Sequence, residues 1–292
     1  MAAAAQFLYT PRARNMVAIK AFIAAVVWYC WPRQQGPVAR HTIASAYVIC
    51  TEACDTQTES IRRSLLIPQV EKIEAHRGDV DHSTLPLYTR HIMRWGRHDH
   101  MQLPNAAAIG CLLSHADIWA RIANQTELAA VFEEDAIVTQ DSLTTLEELW
   151  HDVSNHTWSV LMLDPGHINT EGPWLDIGTV ASTCRLKGHC TWLGTRGYVI
   201  TPQGARALLD NLYPLTVQVD SLIGLVAAFD PNFQMMWTRQ TVIAKNYTMP
   251  SKIFDGCVKC MLPTGILIYA VVTLTLFGMA VLALYARRPK TE

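Results

Sequence analysis

Charge imbalance is almost absent from this chain. Over 292 residues, 24 Lys and Arg stand against 25 Asp and Glu, a formal net charge of −1. A nucleic-acid binder needs a basic footprint, so no nucleic-acid partner is expected. There is no Walker A run and no GxGxxG, which argues against P-loop phosphotransfer. There is no HExxH, which removes the zincin proteases. Internal repeats and low-complexity tracts are also missing. The single CxxC, Cys257 to Cys260, has no second pair to complete a four-ligand zinc site. Charged residues make up only 17% of the chain and hydrophobic ones 50%, which excludes a mainly disordered protein.

Two apolar stretches stand out. Cys260 to Ala286 contains no charged residue and is followed by Arg287, Arg288 and Lys290. About 20 apolar residues cross about 30 Å of hydrocarbon, so a membrane helix is expected over 264–286. The basic stop places the tail, 287–292, in the cytoplasm and the main domain on the opposite side. Near the N-terminus, Met16–Trp31 is apolar except for Lys20 and follows Arg12 and Arg14. This stretch reads as a signal anchor or a cleaved signal peptide, after a short basic segment at 1–15. A linker at 32–44, a main domain at 45–250 and a juxtamembrane segment at 251–263 complete the division.

That topology puts the main domain in the lumen of the endoplasmic reticulum or Golgi, or in another extracytoplasmic space. The sequons at Asn124, Asn155 and Asn246 then become glycan acceptors. Eight cysteines include two close pairs, Cys184 with Cys190 and Cys257 with Cys260, which an oxidising lumen would allow to form disulfides.

Within the main domain, apolar runs at Ser45–Cys50, Val70–Ala75, Leu128–Phe132, Trp158–Leu163, Thr191–Ile200 and Phe233–Trp237 read as strands. Helical patterns occupy Glu59–Ile67, Asn105–Ala123, Ser142–Trp150, Pro202–Leu212 and Asp220–Phe229. Asn105 and Thr201 are the expected caps, with Pro202 at a first helical position. Gly78–Pro104 reads as an extended surface region. Strands alternating with helices predict an α/β layer fold.

Glu133-Glu134-Asp135 directly follows an apolar strand. Ligands of α/β sheets commonly sit beyond the carboxyl ends of strands. Glu133 and Asp135 alternate and can share a face, where they could hold Mn²⁺ or Mg²⁺ beside a diphosphate. A solvated acidic loop is the other reading. Asp220 precedes an apolar helical run and is either a cap or a general base for an acceptor hydroxyl. Asp164 ends a strand, where it meets a sugar hydroxyl or forms a turn with Pro165-Gly166. Ser114 and His115 lie on a helix with apolar neighbours. They lack a visible third partner for a hydrolase triad. Trp174, Trp192 and Trp237 are either stacking platforms or packing residues.

In order along the chain, several blocks resemble glycosyltransferase family 25. Tyr47-Val48-Ile49 followed by Arg62-Arg63 is similar to its opening strand and basic helix, with Cys50 where Asn is usual. Gly110-Cys111-Leu112-Leu113-Ser114-His115 with Trp119 is similar to its GCxLSH helix, and Phe132-Glu133-Glu134-Asp135-Ala136 to its FEDDA motif. Gly197–Ala205 with Leu208-Leu209 resembles its later strand and helix. The resemblance implies a GT-A-like fold and inverting, metal-dependent transfer of galactose or glucose from a nucleotide sugar, such as a UDP-hexose. The acceptor would be a hydroxyl of a glycan, glycolipid or glycoprotein. It points to Glu133 and Asp135 as Mn²⁺ ligands and Asp220 as base, with Tyr47, Ile49, Arg63, Ser114, His115 and Asp164 around the donor. A catalytically inactive glycan- or partner-binding membrane protein on the same scaffold is the alternative, motivated by Cys50 and Glu134.

Overall fold

The computed structural model describes residues 43–77, 81, 83–95, 102–164, 174–184, 194–249, 253, 272–277 and 279. The expected N-terminal apolar segment and the linker up to residue 42 lie outside these residues, as do Cys190, Trp192, Cys257 and Cys260; the last two linker positions, Ile43 and Ala44, instead open the first strand. Of the expected membrane span, only 272–277 and 279 are described, and they are helical. Among the described residues, no helix is long and apolar enough to cross a membrane.

Among the described residues, ten strands and six helices build the main domain. The strands are β1 (Ile43–Cys50), β2 (Gln69–Glu74), β3 (Leu128–Glu133), β4 (Ala136–Val138), β5 (Val160–Met162), β6 (Trp174–Ile177), β7 (Ala181–Cys184), β8 (Gly197–Ile200), β9 (Met235–Thr238) and β10 (Ile243–Lys245). The helices are α1 (Asp55–Ser64), α2 (Leu87–Trp95), α3 (Ala106–Ile122), α4 (Ser142–Val153), α5 (Pro202–Asp210) and α6 (Val219–Phe229). Eight strands form one mixed sheet in the order β2-β1-β3-β8-β5-β9-β7-β6, while β4 pairs with β10 separately. The β2-β1-β3 end is parallel, and β8 enters antiparallel between β3 and β5.

Both faces of the sheet are covered, and strict alternation along the strands sorts the core into two layers. Tyr47, Ile49, Ala129, Val131, Tyr198 and Ile200 face one layer with α3, α5 and α6. Ala46, Val48, Ala130, Phe132 and Val199 face the other with Ile61 of α1 and Leu146, Leu149 and Val153 of α4. Burying one large apolar side chain contributes about 1.5–3 kcal/mol, so this double layer supplies the main driving force for folding. Trp237 packs in the core, whereas Trp174 is exposed on edge strand β6.

Local chemistry accounts for the helix ends. The Asn105 Oδ1 accepts the Ala108 N–H at 3.0 Å and opens α3. The Thr201 hydroxyl accepts the Gly204 N–H at 2.9 Å and opens α5, with Pro202 in its first turn. Gly204 also lets α5 press on β5, because a Cβ there would lie 2.5 Å from the Ser159 carbonyl oxygen. The first helix starts four residues before Glu59 and ends three residues before Ile67: it spans Asp55–Ser64 and closes before Leu66, which takes a left-handed φ of 53°.

One region departs from expectation. Gly78–Pro104, read as extended surface, contains the nine-residue helix α2. Its buried Thr89 and Ile92 are too few to make an apolar stripe conspicuous among its Arg and His residues. The short strands β4, β6, β7 and β10 also escaped the sequence pattern, since three or four residues carry little periodicity.

Candidate active site

A cavity of ≈ 590 Å³ opens at the carboxyl ends of β1 and β3. The α3 helix walls one side, the first turn of α6 another, and Lys245 of β10 reaches in from the separate ribbon. The parallel pairing of β1 with β3 sets Ile49 beside Glu133, which brings both strand ends to the same rim. This is the location at which an α/β sheet commonly presents a ligand site.

Glu133 is the last residue of β3. The backbone then turns through Glu134 and Asp135 into β4, so the three acids do not continue an extended alternation. All three line the cavity. Glu133 accepts a hydrogen bond from the Thr195 hydroxyl, and His115 Nε2 lies 3.4 Å from its Oε1. Burial pushes the Glu133 carboxyl up, but His115, the Thr195 hydroxyl and the Arg196 charge more than offset this and hold it below its ordinary value. Asp135 goes the other way. Burial and the neighbouring Glu133 push its carboxyl up to about 6, against the pull of Arg196 and Lys245. Its Oδ1 is buried and accepts no hydrogen bond among the described residues. An orphaned carboxylate oxygen is costly, and a hard cation is one group that can satisfy it.

Glu134 has a different job. Its carboxylate accepts the Thr51 N–H at 2.7 Å and the Thr51 hydroxyl at 2.5 Å. The extra methylene relative to Asp therefore spans to the end of β1, tying two strand ends that lie 83 residues apart in the chain. Cys50, at the position where Asn is usual, forms a disulfide with Cys54 across the same loop. That pairing was absent from the sequence reading. Cys184 is also disulfide-bonded, to a partner outside the described residues.

Asp220 sits in the first turn of α6, where Gln218 occupies the capping position. Its Oδ2 accepts the Gly194 N–H at 3.0 Å, and its Oδ1 accepts the Ser221 N–H at 2.7 Å. These bonds aim the carboxylate at the cavity, which it lines across from Cys111 of α3. Gly194 holds φ at 95°, a conformation that glycine adopts without a steric cost. The half-buried Cys111 thiol is pushed well up by desolvation, then by Glu133, Asp220 and Asp135.

Of the residues expected around a donor, Ile49 and Ser114 line the cavity. Ser114 donates to the Gly110 carbonyl at 2.8 Å and accepts the His76 N–H at 2.9 Å, anchoring the chain after β2. His115 stands behind Glu133, with Nδ1 at 2.8 Å from the Tyr198 hydroxyl, which also accepts from Trp119 Nε1 at 2.8 Å. Tyr47, Arg63 and Asp164 are not brought into the cavity. The Tyr47 hydroxyl accepts from Gln125 at 2.7 Å, because its place on β1 directs the ring into the core. Arg63 is exposed on α1 and pairs with Glu59. Asp164 is buried behind the cavity wall, where it accepts from Arg196 Nε at 2.6 Å. Arg196 and Lys245, like Arg77, are residues that sequence reasoning missed. All three line the cavity, and no motif marks any of them.

The sequon asparagines differ in access. Asn124 and Asn155 are exposed. Asn246 is half-buried, its N–H donates to the Asp135 carbonyl at 2.8 Å, and its Oδ1 accepts from the Thr248 hydroxyl at 2.6 Å.

This arrangement defines a class: an acidic turn at strand ends, a facing carboxylate on a helix and flanking cations are suited to handling an anionic donor and a hydroxyl. The model of glycosyltransferase family 25, described as LPS biosynthesis protein, matches residues 97–223. The match runs through α3 and the acidic turn and ends just beyond Asp220. The match supports a glycosyltransferase, over a segment similar to family 25. No curated protein matches the chain.

Proposed function

We propose that the chain transfers a hexose, galactose or glucose, from a nucleotide sugar to a hydroxyl of a glycan, glycolipid or glycoprotein, with a divalent cation and inversion at the anomeric carbon, on a GT-A-like scaffold. The observation that carries this reading is Asp135. Its buried, unpartnered Oδ1 stands beside Glu133 in a cavity that also holds Arg196 and Lys245. Carboxylate oxygens at a strand end fit Mn²⁺ or Mg²⁺, and Glu133 and Asp135 would hold the ion. Bound there, the cation supplies charge neutralisation for a departing nucleoside diphosphate.

The remaining work falls to side chains of the chain. Arg196, Lys245 and Arg77 line the cavity and offset phosphate charge. Asp220, aimed by the Gly194 and Ser221 amides, takes the proton of the acceptor hydroxyl. The acceptor oxygen attacks the anomeric carbon on the face opposite the phosphate oxygen. The anomeric bond to that oxygen breaks, and its electron pair leaves with the nucleoside diphosphate. Orientation and preorganised charge account for most of the barrier reduction in such a site. The Glu134 bonds to Thr51 support an active enzyme over a bare binding scaffold, since this substitution is absorbed without displacing Glu133 or Asp135 from the cavity.

The same reading places the domain in the endoplasmic reticulum or Golgi lumen, or another extracytoplasmic space, held by 264–286. Disulfides at Cys50–Cys54 and at Cys184 fit an oxidising compartment. The test uses the full chain with a panel of nucleotide sugars, with Mn²⁺ and with chelator. Turnover should require the metal and vanish in folded Asp135→Asn. Asp220→Asn should lower kcat about 10²–10⁴-fold while donor binding persists. Absence of both turnover and donor binding in the folded wild type would overturn the proposal for the donors tested.

A further inference from the structure

The acidic turn does not exhaust the metal-ligating groups at this cavity. Cys111 and His115 lie four residues apart on α3 and so share a helix face, which is turned towards Glu133. The Cys111 sulfur, a His115 nitrogen and a Glu133 carboxylate oxygen all lie within 4.8 Å of one another. Cys111 is a free thiol. His115 is fully buried, and its Nε2 has no hydrogen-bond partner among the described residues. That nitrogen is aimed at Glu133 Oε1 from 3.4 Å. Two ligands at about 2.0–2.1 Å from a tetrahedral zinc stand about 3.3 Å apart, so this pair already has the spacing of one tetrahedral edge.

We propose that Cys111, His115 and Glu133 form a binding site for a borderline divalent ion of the zinc type, distinct in ligand set from the all-oxygen pair Glu133 and Asp135. A thiolate with an imidazole selects zinc or cobalt over manganese or magnesium, which prefer oxygen. The ring is held by its other nitrogen, Nδ1, at 2.8 Å from the Tyr198 hydroxyl, the kind of outer hydrogen bond that orients metal-bound histidines. On binding, the Cys111 thiol loses its proton to solvent as sulfur bonds the metal. The fourth position opens to the cavity, which Cys111 and Glu133 both line. Because Glu133 is common to both sets, the two ions compete for its carboxylate. That consequence alone rests on the donor-site reading above.

Cobalt(II) added to the full chain under reducing-agent-free conditions is the probe. The wild type should show a sulfur-to-cobalt charge-transfer band that zinc bleaches. Cys111→Ser, or Cys111→Ala if the serine variant misfolds, should lose the band and bind zinc at least about tenfold more weakly. Asp135→Asn should keep the band. A folded wild type without the band, a band undiminished in the Cys111 variant, or a band lost in Asp135→Asn overturns the inference. A cobalt band in a protein without nucleotide-sugar turnover would leave this site standing and the donor reading fallen.

Discussion

At the scale of single residues, the buried pair Arg196–Asp164 illustrates how the cavity obtains its charge. Arg196 is 8% exposed, donates a hydrogen bond through Nε to Asp164 Oδ2, and holds a terminal nitrogen 2.5 Å from the same oxygen as an ion pair. Breaking a buried pair leaves the surviving charge uncompensated, which typically costs about 3–5 kcal/mol. Asp164→Ala is therefore expected to lower unfolding free energy by about that amount in a denaturant titration. Activity should fall as well, because Arg196 loses the partner that points it at the acidic turn.

Asp135 makes an opposite prediction. Its carboxyl is pushed up to about 6 from an ordinary 3.8, so the folded state holds this proton more tightly than the unfolded state. The associated stability is present below about 3.8 and is lost as pH rises through about 6. Asp135→Asn removes the ionisation. With chelator present, the variant should be more stable than the wild type above pH 7, by about 1–2 kcal/mol after allowing for partial solvent screening. The difference should close by about pH 4. Thermal melts at the two pH values measure it.

Among the elements, α3 contributes most to the cavity, supplying Ala107, Ala108, Cys111 and Ser114 to its wall. Its start depends on Asn105, which accepts from the Ala108 N–H and donates to the Ile253 carbonyl at 2.5 Å. Asn105→Ala should cost about 1 kcal/mol through the lost cap, read as a lower urea midpoint with an unchanged slope. The acidic turn is likewise an element property. It ends β3, starts β4, and is held from outside by the Asn246 N–H bond to the Asp135 carbonyl.

Across the whole molecule, the cavity is a meeting of distant segments. β1, β3, the loop before β8, the start of α6 and β10 each contribute, and the pairing order of the mixed sheet brings them together. The Cys50–Cys54 disulfide closes a very short loop at this junction, separated by 4 in sequence. Chain-entropy arguments give about 2 kcal/mol for so short a loop. Cys50→Ala/Cys54→Ala should lose about that much stability in a denaturant titration under non-reducing conditions. Thr51 and Glu52 lie inside this loop and line the cavity, so donor affinity should weaken in the same samples.

Much of this was readable before folding, for local reasons. Caps at Asn105 and Thr201, the apolar runs of β1 and β3, and acids following a buried strand all depend on neighbours within a few residues. So does the pairing of Cys111 with His115, although its spacing was read only as part of a helix motif. Tyr47, Arg63 and Asp164 show the limit of that reasoning. Each stands near the cavity in sequence order, but side-chain direction is set by the sheet face and by remote partners: Gln125 for Tyr47 and Arg196 for Asp164. Glu134 bonding Thr51 is of the same kind, as are Arg196 and Lys245 entering the cavity. Local propensity and periodicity name the elements and their apolar faces. Which polar groups meet at one rim depends on strand order and register, which arise only when segments dozens of residues apart bury their faces together.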